Sequence, residues 1–495
     1  MEGFASVLDT IDGWVWGIPM MVLIVGIGVL LSCRMGFLQF RKLGTALTYA
    51  VNNEEGGEGD VSSFGALTTA LAATVGTGNI VGVGTAILAG GPGALFWMEF
   101  AAIFGMATKY AEGLLAVKYR VVKEDGSILG GPFYYIENGM GPKWRWLAKM
   151  FALFGSLAGA MGIGTSTQVN SITSAVEALF DPNQEHIWFH FGGLDHTYAK
   201  TIAAIFFTVC AILVIIGGIE RIASVAEKIV PAMMVLYVTV GLLILIWNIG
   251  SLPAAIVEIC KGAFGADEVY ASAAGGALGA FYMALQKGIA RGIFSNESGL
   301  GSAPIAAAAA QTKECARQGL VSMTGTFLDT IVICTMTGLC IVLTGAQNSG
   351  EAGVRMTMYA FSNGLPWPDV CGRVVLALCL SLFAFTTILG WDYYAERCFD
   401  YLTNQNKKAI IWYRWFYIAV VAIGPFLALD VVWTFADITN GLMAFPNLVG
   451  LFALNGVVVR ETKDFWRRKD SGEYDDGVEA SRAAKKAAKE AKKNA

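Results

Sequence analysis

The stretch "ATVGTGNIVGVG", residues 73–84, places four glycines and the polar residues Thr77 and Asn79 inside an otherwise apolar segment. A glycine in a helix interior costs roughly 1 kcal/mol relative to alanine. A segment of this length and hydropathy is suited to a membrane helix, yet its own residues weaken that helix. The weakening needs a compensating role, and the rest of the chain narrows down what that role is.

The composition is that of a membrane protein. The chain has 495 residues, of which 55% are hydrophobic and 15% are charged, and its mean hydropathy is +0.55. Soluble globular domains carry about 25% charged residues. We predict an all-α polytopic membrane protein, because apolar windows long enough to cross a bilayer recur along the chain. Eleven spans are predicted, at 14–32, 65–90, 93–118, 147–178, 200–219, 229–248, 271–310, 320–345, 370–400, 409–428 and 432–458.

The connections between these spans predict the orientation in the membrane. Lys and Arg fall in alternate connections, and the intervening connections are poor in them. The positive-inside rule then predicts an N-terminus outside and a C-terminus in the cytoplasm. An odd number of spans also requires the two termini to lie on opposite sides. The connections rich in Lys and Arg are 34–42, 118–145, 221–228, 313–317 and 407–408.

Three interpretations compete for residues 73–84. A nucleotide-binding loop fails on spacing, because the third glycine of a G-x-G-x-x-G motif would fall where Val81 stands. Glycines also serve as contact points between packed membrane helices. The third interpretation is a helix broken near the middle of the membrane. Secondary transporters use such breaks, because half-helix ends hold an anionic group and freed carbonyls hold an ion.

A broken-helix transporter requires a second interrupted segment at an equivalent position in the chain. The stretch "GIARGIFSNESGLGSAP", residues 288–304, meets this requirement, since its glycines surround polar Ser295, Asn296 and Glu297. Counted from residue 65, the breaks lie in the first and sixth helices, as expected of a five-plus-five inverted repeat. The predicted units are an extra transmembrane helix with a cytoplasmic connection (1–60), two five-helix repeats (61–250 and 251–460) and a charged cytoplasmic tail (461–495).

The sequence resembles the alanine or glycine:cation symporter family, a branch of the amino acid–polyamine–organocation superfamily. Five stretches carry the resemblance, in the expected order over about 320 residues. They are "ATVGTGNIVGVG" (73–84), "GGPGALFWM" (90–98), "GMATKYAE" (105–112), "ARGIFSNESGLGSAP" (290–304) and "FAFTTILGWDYYAERC" (383–398).

This resemblance implies a fold like that of the bacterial leucine transporter, with ten core helices in two inverted halves and one extra helix in front. It implies a symporter in the inner membrane of a prokaryote, which couples sodium entry to the uptake of a small neutral amino acid such as alanine or glycine. The alternative is a proton-coupled transporter of another neutral amino acid, such as glutamine. The expected partners are the amino acid, the co-transported sodium ion and membrane lipid, with no nucleic acid.

An amino acid zwitterion needs a site for its carboxylate, and we predict this site at the first break. Amide N–H groups at a half-helix end attract an anion, and those of Gly76, Thr77 and Gly78 are the candidates. The resemblance adds Thr77 and Asn79 as polar residues of the site. It also adds Gln168, which either contacts the substrate or bridges two helices.

The side-chain pocket is expected to be small and partly aromatic. Trp391 is similar to a pocket tryptophan of the family, and Phe294 is a second candidate. An interfacial anchor is the alternative for Trp391. The polar residues Thr386 and Thr387, about one turn earlier, favour the interior position.

Sodium prefers a dry cage of mostly neutral oxygens. Thr386 and Thr387 offer adjacent hydroxyl groups, and the resemblance implies that backbone carbonyls of Ala72 and Val75 complete the cage. The alternative is that both hydroxyls bond back to carbonyls one turn earlier.

Glu99 departs from the family, whose motif usually continues Phe-Trp-Met-Trp, whereas here a carboxyl follows Met98. A carboxylate at a spanning position is costly unless it is paired or neutral. Glu99 is therefore either a structural residue, for example paired with Lys109, or a residue that changes the substrate pocket. Other charges predicted at membrane depth are Lys109, Glu112, Arg291, Glu297, Asp329 and Asp392.

Other function classes have little support in the sequence. We find no Ser/His/Asp set, no metal-type cysteine spacing and no phosphate-binding loop, so we predict that the protein is not an enzyme. A channel would usually show repeated identical segments around its filter. The three histidines lie together in one polar connection, outside the spans that would have to ligate a redox cofactor.

Overall fold

The computed structural model describes residues 2–54, 56–124, 126–191, 194–267, 272, 275–427, 429–475 and 477. Most of the described chain is helical. The first helices are α1 (Glu2–Val15), α2 (Ile18–Arg34), α3 (Leu38–Arg41), α4 (Leu43–Val51), α5 (Ser63–Thr74), α6 (Val83–Gly90), α7 (Gly93–Lys118), α8 (Pro132–Tyr134), α9 (Arg145–Met161) and α10 (Ser166–Phe180). The later helices are α11 (Tyr198–Ile215), α12 (Gly218–Trp247), α13 (Leu252–Ala263), α14 (Ala277–Asn296), α15 (Ala303–Ala308), α16 (Cys315–Thr326), α17 (Thr335–Leu343), α18 (Val354–Asn363), α19 (Asp369–Leu402), α20 (Lys407–Ile423) and α21 (Leu429–Asp470).

Short turns and strands complete the described secondary structure. The strands form two antiparallel hairpins in connections between helices, β1 (Val121–Val122) with β2 (Ile128–Leu129) and β3 (Ile187–Phe191) with β4 (Leu194–Thr197). The π-helical turns are Gly78–Gly82, Tyr135–Gly139 and Phe327–Cys334, and the 3₁₀ turns are Pro142–Trp144, Ile249–Ser251, Ala346–Asn348 and Gly424–Phe426.

The number of membrane spans is close to the predicted eleven. By length and hydropathy, eight described helices can cross a membrane, or nine if the bent pair Ser63–Thr74 and Gly78–Gly90 is one span. The two other predicted spans, 14–32 and 271–310, coincide with α2 and α14. However, α2 has only 17 residues, and α14 carries Lys287 and Arg291. A total of eleven therefore stays a prediction, as does the inverted repeat.

The first predicted break is present. The helix α5 begins at a Ser62 cap, whose hydroxyl oxygen accepts from the Gly65 N–H at 2.9 Å. It ends at Thr74, and Val75 leaves the helical conformation with φ −76° and ψ 89°. The chain resumes as the π-helical turn Gly78–Gly82 and then as α6, bent by 50° from α5.

The second predicted break is also present. The helix α14 ends at Asn296, and Glu297 takes a left-handed conformation with φ 57°. Gly299 and Gly301 follow with φ 88° and 83°, a region that glycine enters without steric cost. The sequence "SGLG" therefore suits an unwound connection, and the helix resumes as α15.

The two broken helices lie in the interior of the bundle. The helix α5 packs against α12 and α19, and α14 packs against α7. All side chains from Val75 to Val83 are buried. This stretch includes the interruption that begins at Val75, and interrupted backbone is tolerated at membrane depth only where it is buried in protein or lines a cavity. The predicted tail also begins as a helix, since α21 continues to Asp470, and residues 478–495 lie outside the described part of the chain.

Candidate functional site

Two backbone amides at the first break are bound by side-chain oxygens. The Gly76 N–H donates to Asn79 Oδ1 at 2.9 Å, and the Thr77 N–H donates to Gln168 Oε1 at 3.2 Å. These are two of the three amides predicted to hold a carboxylate. In this conformation neutral carbonyl oxygens of side chains take the positions that carboxylate oxygens would need.

Gln168 bridges two parts of the protein. Its Oε1 accepts from Thr77 N–H, and its Nε2 donates to the Ile163 carbonyl at 2.9 Å. The Thr77 hydroxyl is buried and makes no hydrogen bond to any described residue. A buried hydroxyl without a partner is costly, so this oxygen is available to a ligand at the break.

Asn79 connects the first break to Asp329. Its Nδ2 donates to the Asp329 carboxylate Oδ1 at 2.7 Å and to the Asp329 backbone carbonyl at 3.0 Å. The other carboxylate oxygen accepts from Ser295, in the last turn of α14, at 2.9 Å and from Thr330 at 2.8 Å. Asp329 therefore ties the two breaks together, and all of these groups are buried.

The second break is held by two further carboxyl groups. Glu297 Oε1 accepts from Trp391 Nε1 at 2.7 Å, and its Oε2 accepts from Ser302 at 2.5 Å. Glu112 Oε1 accepts from the Gly299 N–H at 3.1 Å and from Asn447 at 2.7 Å. Asn447 Nδ2 also donates to the Gly299 carbonyl at 2.8 Å, so Glu112 and Asn447 together supply partners for both backbone groups of Gly299.

Lys109 is the cation of this buried region. Its side chain is 2% exposed, and its Nζ makes no hydrogen bond to a described residue. Lys109 interacts electrostatically with Glu112, Glu297 and Asp329. The positive charge of Lys109 thus attracts the carboxyl groups that hold both breaks.

Two of the four predicted sodium ligands, Thr387 and Val75, approach each other at the end of α5, and both threonine hydroxyls bond back to a carbonyl one turn earlier, as the alternative interpretation expects. The Thr387 hydroxyl lies 3.5 Å from the Val75 carbonyl and 3.0 Å from the Phe383 carbonyl. The Thr386 hydroxyl also bonds back to Phe383, at 2.9 Å, and lies 3.7 Å from the sulfur of Met233. A Cβ at Gly76 would come within 2.4 Å of Thr387 Oγ1, so this close approach requires glycine.

One end of the region is bridged by a bidentate ion pair. Arg291 Nη1 and Nη2 donate to the two oxygens of Asp437 at 3.2 and 2.9 Å. The guanidinium lies over the rings of Phe294 and Trp433, whose centroids are 5.2 Å apart. A cavity of about 310 Å³ lies beside the pair and is also lined by Trp16. We call Arg291, Asp437, Phe294 and Trp433 the outer gate, after the side on which the predicted orientation would place them.

The opposite end is bridged by paired backbone. The N–H groups of Asp60 and Val61 donate to the Ala309 carbonyl at 2.9 and 3.1 Å, and Gln311 N–H donates to Val61 at 2.8 Å. Arg120 adds hydrogen bonds to the carbonyls of residues 58, 308, 310 and 312. We call residues 57–61, residues 308–312 and Arg120 the inner gate. It joins the start of α5 to the end of α15. These are the ends of the two broken helices that lie away from the breaks.

The proposed pairing of Glu99 with Lys109 is not seen. Both residues are on α7, ten residues apart, which is about 15 Å along the helix axis and too far for contact. Both carboxyl oxygens of Glu99 are shielded from solvent, and the neighbouring side chains are Thr335 and Asp329. Lys109 interacts with other carboxyl groups instead.

The structure brings most predicted site residues together. Gly76, Thr77, Gln168 and Asn79 meet at the first break, and Thr387 meets Val75 beside it. Phe294 lies instead in the outer gate, and Trp391 contacts the second break. Residues that the sequence did not single out as part of the site include Asn447, Thr330, Phe383 and Thr337, whose hydroxyl donates to the Asn79 carbonyl at 2.8 Å. Asn447 and Thr337 do carry a signal, as polar residues within apolar spans, whereas Phe383 contributes only its backbone carbonyl.

The fold is shared with a solved structure. The chain superposes with a TM-score of 0.56 on the crystal structure of MhsT in complex with L-phenylalanine. The superposition covers 82% of this chain and 93% of MhsT, at 14% sequence identity. With the two interrupted helices, this likeness shows an all-helical fold of the leucine-transporter type.

The sequence model of the sodium:alanine symporter family matches residues 1–479, and the chain belongs to that family. It is 44% identical over 470 residues to the sodium/alanine symporter AgcS of Methanococcus maripaludis, covering 93% of this chain and 97% of the relative. It is 53% identical over 472 residues to an uncharacterized transporter of Haemophilus influenzae, covering 95% of this chain and 98% of that relative. The protein is accordingly an amino acid transporter rather than an enzyme, as the sequence predicts.

Proposed function

We propose that this protein is a secondary active symporter that couples inward sodium flow to the uptake of alanine or glycine. The observation that carries the proposal is the meeting of two broken helices at one buried polar region, beside the oxygens of Val75, Phe383 and Thr387. Membership of the sodium:alanine symporter family supports the choice of ion and substrate.

The ion site in this proposal lies between α5 and α19. Its ligands are the carbonyls of Ala72 and Val75 and the hydroxyls of Thr386 and Thr387, and we add the Phe383 carbonyl. The distances of 3.0 and 3.5 Å from Thr387 Oγ1 to the carbonyls of Phe383 and Val75 support this assignment. Sodium would draw these oxygens together and thereby connect α19 to the first break.

The substrate carboxylate in this proposal binds the amides of Gly76, Thr77 and Gly78. Asn79 Oδ1 and Gln168 Oε1 hold the first two amides until the carboxylate displaces them, and the Thr77 hydroxyl adds a further donor. The substrate side chain in this proposal lies between Phe294 of the outer gate and Trp391 at the second break, whose rings are both buried.

Alternating access follows from the two gates. With the outer gate paired and the inner gate paired, the described conformation is bridged on both sides of the breaks. Opening outward requires Arg291 to separate from Asp437, and opening inward requires residues 57–61 to separate from residues 308–312. In the proposed orientation, with the N-terminus outside the inner membrane of a prokaryote and the C-terminus in the cytoplasm, the ion pair faces outward.

The test is uptake of labelled alanine and glycine by proteoliposomes. We expect accumulation above equilibrium with an inward sodium gradient, and none with a potassium gradient at the same membrane potential. Accumulation that requires a proton gradient instead would reject sodium coupling. Failure to accumulate either amino acid under any gradient would reject the substrate assignment.

The second candidate is a proton-coupled transporter of another neutral amino acid, such as glutamine. The observation that favours it is Glu99, a sequestered carboxyl near Asp329 at a position where the family usually has tryptophan. Glutamine uptake driven by a proton gradient in the same liposomes would support this candidate over alanine–sodium symport.

A further inference from the structure

A basic cavity lies far from the breaks, between the end of α2 and the last turns of α21. Its volume is about 520 Å³. The transport mechanism proposed above uses none of the residues around it. The charged residues that line it are Arg34, Arg41, Lys42, Lys463, Arg467 and Asp470.

The charge of the cavity is largely uncompensated. Arg34 and Lys463 are exposed and form no ion pair with any described residue. Lys42 Nζ lies 3.6 Å above the ring of Trp466, and Lys42 forms no ion pair with a described residue. Arg467 is paired with Asp464 at 2.9 Å and with Glu473 at 3.3 Å, and Asp470 adds one carboxylate to the lining. The cavity thus presents several positive groups to whatever enters it.

An apolar pair lies in the same short segment as the lining residues Gly36, Leu38 and Arg41. Phe37 and Phe40 are 41% and 62% exposed, and their rings stack with centroids 6.4 Å apart. Phe37 caps α3 in a left-handed conformation, with φ 53°. Two exposed phenylalanines next to basic side chains, at the end of a spanning helix, match the boundary between lipid headgroups and acyl chains.

We propose that this cavity binds the headgroup of an anionic phospholipid. The phosphate would lie between Arg34 and Lys463, and the acyl chains would run along Phe37 and Phe40. Basic pockets at the cytoplasmic ends of membrane helices suit such headgroups, and the proposed orientation puts this end of α2 and α21 in the cytoplasm. The bound lipid would join the extra N-terminal helix to the C-terminal helix.

The test is lipid binding to the purified, delipidated full chain, counted by native mass spectrometry. Phosphatidylglycerol is titrated against phosphatidylcholine with the same acyl chains. In the double variant Arg34→Gln/Lys463→Gln, we expect phosphatidylglycerol to bind roughly 30-fold more weakly, since each basic side chain near an anionic lipid contributes about a factor of five. Phosphatidylcholine binding stays unchanged.

The matched control is Lys407→Gln/Lys408→Gln, two exposed cations at the start of α20 and outside the cavity. It should bind phosphatidylglycerol as the unmodified protein does. Equal thermal unfolding of all three proteins in phosphatidylcholine nanodiscs checks that the variants are folded. Equal phosphatidylglycerol affinity in all three overturns the proposal. Displacement of the lipid by inorganic phosphate alone also overturns it, because the site would then bind a soluble anion.

Discussion

Thr387 is the residue on which the proposed ion site depends most directly. Its hydroxyl is the side-chain oxygen that faces the Val75 carbonyl, whereas the hydroxyl of Thr386 faces Met233. For Thr387→Ala, we expect the sodium concentration for half-maximal alanine uptake to rise about tenfold, equivalent to about 1.4 kcal/mol. Uptake measured over a range of sodium concentrations in proteoliposomes checks this.

The contrast between the two threonines is the control for this prediction. Thr386→Ala should change the sodium requirement less than Thr387→Ala, and Thr387→Ser should restore most of the affinity because it keeps the hydroxyl. An equal sodium requirement in Thr387→Ala and the unmodified protein would remove Thr387 from the ion site.

Glu99 and Asp329 are neighbouring carboxyl groups with different expected roles. Asp329 accepts hydrogen bonds from both breaks, and a hydrogen bond to a charged group is worth about 1.5–3 kcal/mol. We expect Asp329→Asn to reduce alanine uptake at least about tenfold. Glu99→Gln should retain uptake within about twofold, because the Glu99 carboxyl bonds to neither break.

The measurement is the initial rate of alanine uptake under a fixed sodium gradient, corrected for the amount of protein in the liposomes. Loss of uptake in Glu99→Gln, together with a loss of response to an imposed pH gradient, would identify Glu99 as a coupling carboxyl. That result would favour the proton-coupled alternative.

Residue types and spacing indicated the position of the site but not its bonding. Thr77, Asn79 and Gln168 follow from the break and the family resemblance. That Asn79 and Gln168 hold the amides of Gly76 and Thr77 does not follow, because it depends on where α10 packs against the break. The role of the Phe383 carbonyl cannot be predicted from residue types, because every residue has a backbone carbonyl.

The outer gate is a bidentate pair between two elements, α14 and α21. The guanidinium fork of arginine makes two parallel hydrogen bonds, which the point charge of lysine does not reproduce. We expect Arg291→Lys to lower the steady-state accumulation of alanine about tenfold. The matched control is Arg414→Lys, since Arg414 forms a similar pair with Glu396 at 2.6 Å on α19. Equal accumulation in both variants would contradict a gating role for Arg291.

The inner gate depends on close approach of two backbone segments. A Cβ at Gly57 would lie 2.6 Å from backbone atoms of Thr312, so Gly57→Ala should hold the gate apart. We expect N-ethylmaleimide to label Cys334, a buried residue beside Asn79, faster in this variant. The labelling uses a protein in which the other cysteines are replaced. Gly44→Ala, which has open space at its Cβ, is the control. An unchanged labelling rate in Gly57→Ala would contradict the gate.

Helix breaks are the elements that the sequence predicted best, because glycine and polar residues at membrane depth are expensive anywhere else. Both breaks lie within the predicted stretches. Element ends were predicted less well, since 147–178 divides into α9 and α10 around Gly162, and α21 extends 12 residues beyond the predicted end at 458. Tertiary contacts such as that between Arg468 and Glu314 stabilise this extension.

At the scale of the whole molecule, the fold class and the family follow from composition, span order and motifs. The two gates do not, because each joins segments more than 100 residues apart. Arg291 meets Asp437 across 146 residues, and Val61 meets Gln311 across about 250. Such long-range contacts decide which conformation a transporter holds, and local sequence patterns carry little information about them.

The central claim is that sodium and amino acid move together through the region of the breaks. The most direct measurement is uptake of radioactive sodium into proteoliposomes, driven by an inward alanine gradient with no sodium gradient imposed. We expect sodium to accumulate in liposomes with the unmodified protein and to stay at equilibrium with Thr387→Ala. Alanine entry without sodium movement, accompanied by acidification of the liposome interior, would contradict sodium symport.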